Sequence, residues 1–362
     1  MDSHNEKILR DALEAAFGSQ SAFPHSERAL GESQIFAFLA QADAQVAGKT
    51  IPLDLFRLKT ASTASFRDAA LLVPSMRDPN RLPVLLAPPL TEKKQALLRS
   101  MGLFFIDDAG NAWLSESGVH VDIRGRKAPS GKASSPASEN AFSDKATLVL
   151  RILLEYGPLG IRDLSRLAAK MGFPLSPGYV SKTASALITQ GYAAKQAGGT
   201  IALRRKQDIL DDWVQAYAKL NPSERGGFFL PAAEMDEVVR RASQAVGDSA
   251  VLSERAGASL VDPFATFDSV LLLARNFGQA RQALIDSGAS EVERGANIEL
   301  VIPRYRVSSF YGTRIVEGCE VASDLQLYLD LTRQPKRGLE AAEHLFSRTL
   351  ASQFSEEEGG EV

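Results

Sequence analysis

The sequence has a single cysteine, Cys319, in 362 residues. No disulfide can therefore close within the chain, and cysteines alone cannot build a metal site. Histidine is scarce too. His4, His25, His120 and His344 lie far apart, and none has a second histidine or a carboxylate at a metal-motif spacing. Each reads as an ordinary surface or core histidine. No apolar run approaches the ~18 to 20 residues that a bilayer span requires. Met1 to Arg10 is polar and lacks the apolar segment of a signal peptide, so a cytoplasmic location and no membrane partner are expected. Neither charge dominates: 41 basic residues against 44 acidic ones leave a net charge of -3, which in bulk argues against a nucleic-acid binder. Catalytic motifs are missing as well, with no G-x-S-x-G and no H-E-x-x-H. The stretch Gly125 to Lys132, GRKAPSGK, imitates a phosphate-binding loop. It has one residue too many between its glycines, and Ala133 stands where Ser or Thr would hold Mg²⁺.

What is present is an ordinary globular composition, 44% hydrophobic and 23% charged, with length enough for two or three domains. Lys127 to Ser143, KAPSGKASSPASENAFS, is rich in Ser, Ala, Pro and Gly without an apolar period, and reads as a flexible linker. The acidic end, SEEEGGEV, reads as a disordered tail. Before the linker, Ile35, Phe36, Leu39 and Val46 suggest an amphipathic helix. The short apolar runs Ile51 to Leu58, Ala69 to Val73 and Val84 to Ala87 suit buried strands. Thr91 to Met101 has the cap and acidic first turn of a helix. Leu103 to Ile106 and Val119 to Ile123 flank a turn at Asp108 to Asn111. Asp107 and Asp108 are a conceivable metal pair, but the Gly-Asn that follows favours the turn.

After the linker the pattern becomes helical. Ala146, Leu148, Val149, Ile152 and Leu153 line a helix that Gly157-Pro158 stops. A second helix spans about Ile161 to Met171, and a third opens with Ser176 as cap and Pro177 at its first position. The third should bury Val180, Ala184, Leu187 and Ile188. Tyr192 to Gln196 and Thr200 to Arg204 form a hairpin around Ala197-Gly198-Gly199. Three helices and a glycine-tipped hairpin follow the element order of a winged helix-turn-helix. Beyond Lys206 come a helix with Ile209, Leu210, Trp213 and Tyr217, an α/β stretch with a strand at Ile298 to Ile302, and two closing helices.

Charge supports that placement. Asp144 to Lys206 holds ten basic and three acidic residues, an excess of seven positive charges that leaves -10 elsewhere. The expected DNA-contacting residues are Arg162, Arg166 and Lys170 on the second helix, Ser176 at the cap, and Tyr179, Ser181, Lys182, Thr183 and Ser185 on the third. Lys195, Arg204 and Arg205 would charge the wing. Short donors and cations suit phosphates and base edges, and a helix N-terminus attracts phosphate. Lys182 and Arg205 are both expected at the surface. Tyr305, Phe310 and Tyr311 near Arg304, Arg306 and Arg314 suit either stacking on nucleic acid or a core or partner-binding role.

Several segments together carry a family resemblance. They are LFFIDDAGNAWL from Leu103, SPGYVSKTASALITQGY from Ser176, ERGANIELVIPRY, VASDLQLYLDL and RGLEAAEHLF. In this order the chain resembles the AbiEi-type antitoxins of type IV toxin-antitoxin (abortive-infection) systems. The resemblance implies a transcriptional autorepressor and a cognate toxin similar to a nucleotidyltransferase. It also implies that the N-terminal domain resembles a PD-(D/E)xK nuclease. The comparable strand reads Phe56-Arg57-Leu58-Lys59, with arginine where the metal-binding carboxylate belongs, so a non-catalytic relative is expected.

The expected fold class is α/β plus α. A degenerate nuclease-like α/β domain at 1–125 and a linker at 126–143 precede the winged helix-turn-helix at 144–206. An antitoxin-like α/β domain at 207–354 and an acidic tail at 355–362 follow. The expected function is a non-enzymatic DNA-binding regulator and antitoxin, with no cofactor, metal or catalytic residue. Its partners would be double-stranded DNA and the toxin, with self-association left open. Two other readings stand beside it: a winged-helix-guided metal-dependent nuclease, and an adaptor that binds protein but not DNA.

Overall fold

Side chains alternate between two faces along Lys49–Leu58 (β3), buried on both, and so set up the first sheet: Leu53 and Leu55 enter one core, Phe56 and Leu58 the other. The computed structural model describes residues 3–18, 22–30, 33, 35–46, 49–116, 119–127, 141–264, 266–334 and 337–355. Most of the expected linker, most of the phosphate-loop imitation and nearly all of the acidic tail lie outside the described residues. Ala141 and Phe142, at the end of the expected linker, are buried. Apolar side chains at that position have left the solvent, which a flexible linker would not do.

The chain forms two units, one made of Met1–Ala141 with Ser181–Ile209, the other of Phe142–Val180 with Leu210–Val362. In the first unit a seven-stranded sheet runs in chain order, β1 (Ala22–Ala29), β2 (Phe36–Val46), β3, β4 (Leu82–Ala87), β5 (Phe105–Asp107), β6 (Ala112–Glu116) and β7 (Val119–Ile123). β1 to β3 are an antiparallel meander. β4 and β5 join in parallel after helices α2 (Thr63–Met76) and α3 (Glu92–Ser100), because a parallel return needs a crossover. α1 (Ser3–Phe17) supplies Leu9 and Leu13 to one face, while Phe66, Ala69 and Val73 of α2 and Leu98 of α3 cover the other.

Two expectations are corrected here. Residues 36–46 are a strand, not a helix. Phe38, Ala40, Ala42 and Ala44 point into one core, and a bulge turns Phe36 into the opposite one. Small alanines hide the period-2 signal, and the bulge imitates helical spacing. Conversely, Ala69 to Val73 belong to helix α2, which Ser62 caps by accepting from the Ser65 amide. Phe66, Ala69 and Val73 recur at helical intervals and leave Leu71 72% exposed, which no buried strand would do. The turn at 108–111 also leads directly into β6, and β7 returns beside it.

The second unit holds a mixed sheet in the order β13 (Ser290–Glu291), β10 (Glu224–Phe229), β14 (Ile298–Ile302), β12 (Val270–Ala274), β11 (Ala250–Ser253), β16 (Cys319–Val321), β15 (Arg314–Val316). Its main core joins Val238, Val239 and Ala242 of the helix Met235–Val246 to Leu284, Leu327, Leu331 and Leu345. Leu271, Leu273 and Val301 face the other way, with Phe310 against them. α4 (Asp144–Tyr156) is buried from Ala146 to Leu154 on nearly every side, rather than along one stripe as its periodicity suggests.

Candidate nucleic-acid interface

The helix pair begins in the second unit. α5 (Ile161–Lys170) buries Leu164 and Ala168 and exposes Arg162, Arg166 and Lys170, which recur every fourth residue and so share a face. Arg166 meets Asp163 at 3.0 Å, but both are largely exposed, so the pair is weak. The connection to α6 (Pro177–Thr189) is tightly built. Gly172 takes a positive φ of 85°, the Phe173 amide donates to the Ala168 carbonyl, and Ser165 Oγ donates to the Leu175 carbonyl at 2.5 Å. Ser176 caps α6 by accepting from the Tyr179 amide at 3.2 Å. Ser176 is exposed and Tyr179 half-buried.

The remaining expected contacts lie in the first unit. Along α6, Lys182 and Ser185 are exposed and Ser181 is half-buried. Val180, Ala184 and Leu187 are buried as expected, while Ile188 is only half-buried. Thr183 is corrected: at 4% exposure it faces the interior and cannot meet a phosphate. Its position one residue before buried Ala184 puts it near the apolar face. The hairpin forms as β8 (Ala193–Lys195) and β9 (Ile201–Leu203) around Gly198 and Gly199, both at positive φ. Lys195 and Arg204 are exposed on it.

Arg205 is the second correction. It stands at a φ of 53° and forms an ion pair with Asp68, while Nη1 donates to the Ala64 carbonyl at 3.2 Å. Two neighbours join the same arrangement: Ser62 Oγ donates to the Gln190 carbonyl at 2.6 Å, and Arg67 Nε meets Asp208 at 2.9 Å. α2 thus holds the hairpin's base, and Arg205 serves that attachment rather than a free surface. The basic island shrinks further because Arg151 is 3% exposed.

Arg151 belongs to a buried network in the second unit. Its Nη2 donates to Gln326 Oε1 at 2.8 Å, and its guanidinium lies 5.2 Å from the Trp213 ring. Burial lowers its pKa to about 10. Asp330 accepts from Tyr217 Oη at 2.6 Å, Ser253 Oγ at 2.7 Å and Gln326 Nε2 at 3.0 Å, and burial raises its pKa. Glu254 follows Ser253 at a φ of 50° and accepts from Gln334 Nε2 at 2.8 Å. Burial first, then the Asp330 charge, pushes it up to about 7. Tyr305 is buried and donates to the Phe142 carbonyl, so of the earlier alternatives it takes the core role, while half-buried Arg314 pairs with Asp324.

In the first sheet, Arg57 grips Asp108 through two hydrogen bonds of 2.7 and 2.8 Å. Lys59 Nζ donates to the Ser33 carbonyl at 2.6 Å. Asp107 is a turn former: its carboxylate accepts from the amides of Leu90, Ala109 and Asn111, and burial raises its pKa. Among the described residues no three His, Cys, Asp or Glu side chains gather as a metal ion would require, and no helix is long and apolar enough to cross a membrane. No family model matches the chain, and no curated protein or solved structure matches it either.

Proposed function

We propose that this chain is a transcriptional regulator that binds double-stranded DNA through the helix pair and hairpin within residues 144–206. One observation carries the reading. A short, tightly bonded turn joins α5, which displays Arg162, Arg166 and Lys170, to α6, which displays Lys182 and Ser185. A glycine-tipped hairpin bearing Lys195 follows in the chain. That succession of elements and charges matches a winged helix-turn-helix, whose second helix of the pair enters the major groove.

The antitoxin role, with a nucleotidyltransferase-like toxin as partner and the cytoplasm as its place of action, rests on the resemblance carried by the sequence motifs. The order α1, antiparallel β1 to β3, α2 and parallel β4 supports the likeness of the N-terminal domain to a PD-(D/E)xK nuclease. The closed Arg57–Asp108 pair supports its being non-catalytic.

The test is fluorescence anisotropy of the full chain on DNA from upstream of its own gene, at several salt concentrations. Neutralising about five phosphates gives a log-log slope near ~-4 to -5. Saturable binding with such a slope supports the reading. A flat salt response, or equal affinity for unrelated DNA, overturns operator recognition.

A further inference from the structure

We propose that an open cleft of the second unit, about 680 Å³ in volume, is a binding site for a nucleoside phosphate. All its lining residues belong to that unit. The volume lies within the range of small-molecule sites. Three features select the ligand. The first is aromatic surface: Phe173, Phe310 and Tyr311 all line the cleft, and the Phe173 and Tyr311 rings are 5.9 Å apart, tilted by 47°. Phe173 and Phe310 are half-buried, so their rings remain accessible to a planar base.

The second feature is an arginine with charge to spare. Arg275 also lines the cleft, but Glu320 holds it through bonds of 2.7 and 2.5 Å and Phe310 lies under it at 5.0 Å. Arg306 is different. It is exposed, and among the described residues its one bond is from Nη2 to Ser223 Oγ at 2.9 Å, which leaves most of its five donors for a phosphate. The third feature is Glu155, whose Oε2 accepts from the Tyr311 hydroxyl at 2.6 Å. Burial and that carboxylate raise the Tyr311 pKa, so the phenol stays a donor. A carboxylate has room for further bonds, and ribose hydroxyls are donors that suit it. Ring, anion and sugar hydroxyls together describe a nucleoside phosphate better than free phosphate or a plain aromatic acid.

The cleft has a regulatory position. Met171, Gly172 and Phe173 line it, and they are the turn between α5 and α6. A ligand stacked on Phe173 would change the setting of the helix pair, a consequence that rests on the DNA-binding reading.

The experiment titrates the full chain, without DNA, with adenosine 5′-monophosphate and guanosine 5′-monophosphate by calorimetry, alongside adenosine and inorganic phosphate. Saturable binding of a mononucleotide is expected, with adenosine and phosphate each weaker by about tenfold or more. Arg306→Ala, at an exposed position, should weaken it about tenfold, and Phe173→Leu, which keeps an apolar side chain there, should do so by removing the stack. Lys182→Ala should leave it unchanged. No mononucleotide binding at millimolar concentration overturns the site. So does equal binding of phosphate or adenosine alone, or an effect of Lys182→Ala as large as that of Arg306→Ala. Because no DNA is present, this result stands apart from any failure of operator binding. Where operator binding holds, adding the bound mononucleotide should shift its midpoint.

Discussion

The two seven-stranded sheets solve the same problem in opposite ways. In the first, strand order equals chain order, and buried polar groups close local features: Asp107 closes its own turn and Ser62 caps its own helix, though Ser62 also reaches the Gln190 carbonyl. In the second, the strand order is permuted, and the buried polar groups join residues more than a hundred positions apart, as Tyr217 does with Asp330 and Arg151 with Gln326. Local chemistry sets the turns and caps around the first sheet. The second depends on a shared network that forms only once distant segments have met.

The sharpest way to break that contrast is Asp330→Ala. It strips the acceptor from Tyr217, Ser253 and Gln326 at once and should cost ~3 to 5 kcal/mol in urea unfolding. Ser62→Ala, a local cap that also bonds the Gln190 carbonyl, should cost only ~1 to 2 kcal/mol. Equal losses from the two would remove the distinction.

Next in size is a pH effect confined to the second unit. Glu254, facing Asp330, Glu299 and Arg255, has a folded pKa of about 7, above its unfolded value of about 4.5. The folded state holds the proton more tightly, so the stability linked to this group is fully present below pH ~4.5 and is lost as pH rises towards ~7. Glu254→Gln should therefore raise stability at pH 8, by ~1 to 3 kcal/mol, and change little at pH 4. Melting curves at the two pH values decide it, and a gain at pH 4 as large as that at pH 8 would contradict the assignment.

A third comparison separates two cations once expected to do the same work. Lys182→Ala should weaken DNA binding by ~1 kcal/mol without changing the melting temperature. Arg205→Ala should lower stability by ~1 to 2 kcal/mol through loss of the Asp68 and Ala64 contacts. If the binding loss of Arg205→Ala exceeds that of Lys182→Ala in fully folded protein, the structural role given to Arg205 is wrong. The smallest effect belongs to Leu71→Glu on the exposed side of α2, within ~0.5 kcal/mol of neutral by the same melts. A large loss there would mean that this side chain is covered.

The helix pair and hairpin were readable because their signals are local. Ser176 and Pro177 start α6, Gly157 and Gly172 mark bends with positive φ, and Gly198-Gly199 tips the hairpin. The strand at 36–46 was unreadable because alanines stand at three of its inward positions. The apolar run of helix α2 resembles a strand because five consecutive apolar residues look alike in a buried strand and a half-exposed helix. Phe310, Tyr311 and Arg306 stand together in the sequence, whereas Arg275, Glu155 and Phe173 carry no such signal, since each reaches the cleft from a different part of the chain.

The sequence by itself determined most helices after residue 143, the glycine-tipped hairpin, several strands and the placing of an excess of positive charge within 144–206. These depend on caps, turn formers and periodicity, which act over a few residues. Only the tertiary structure decided which cations, there and elsewhere in the chain, are taken by a partner. Arg151 is enclosed by Gln326 and Trp213, Arg205 is bound to Asp68, and Arg57 is closed on Asp108. A charge becomes a contact site or a structural brace according to the partner that folding brings to it, and those partners lie 51 to 175 residues away.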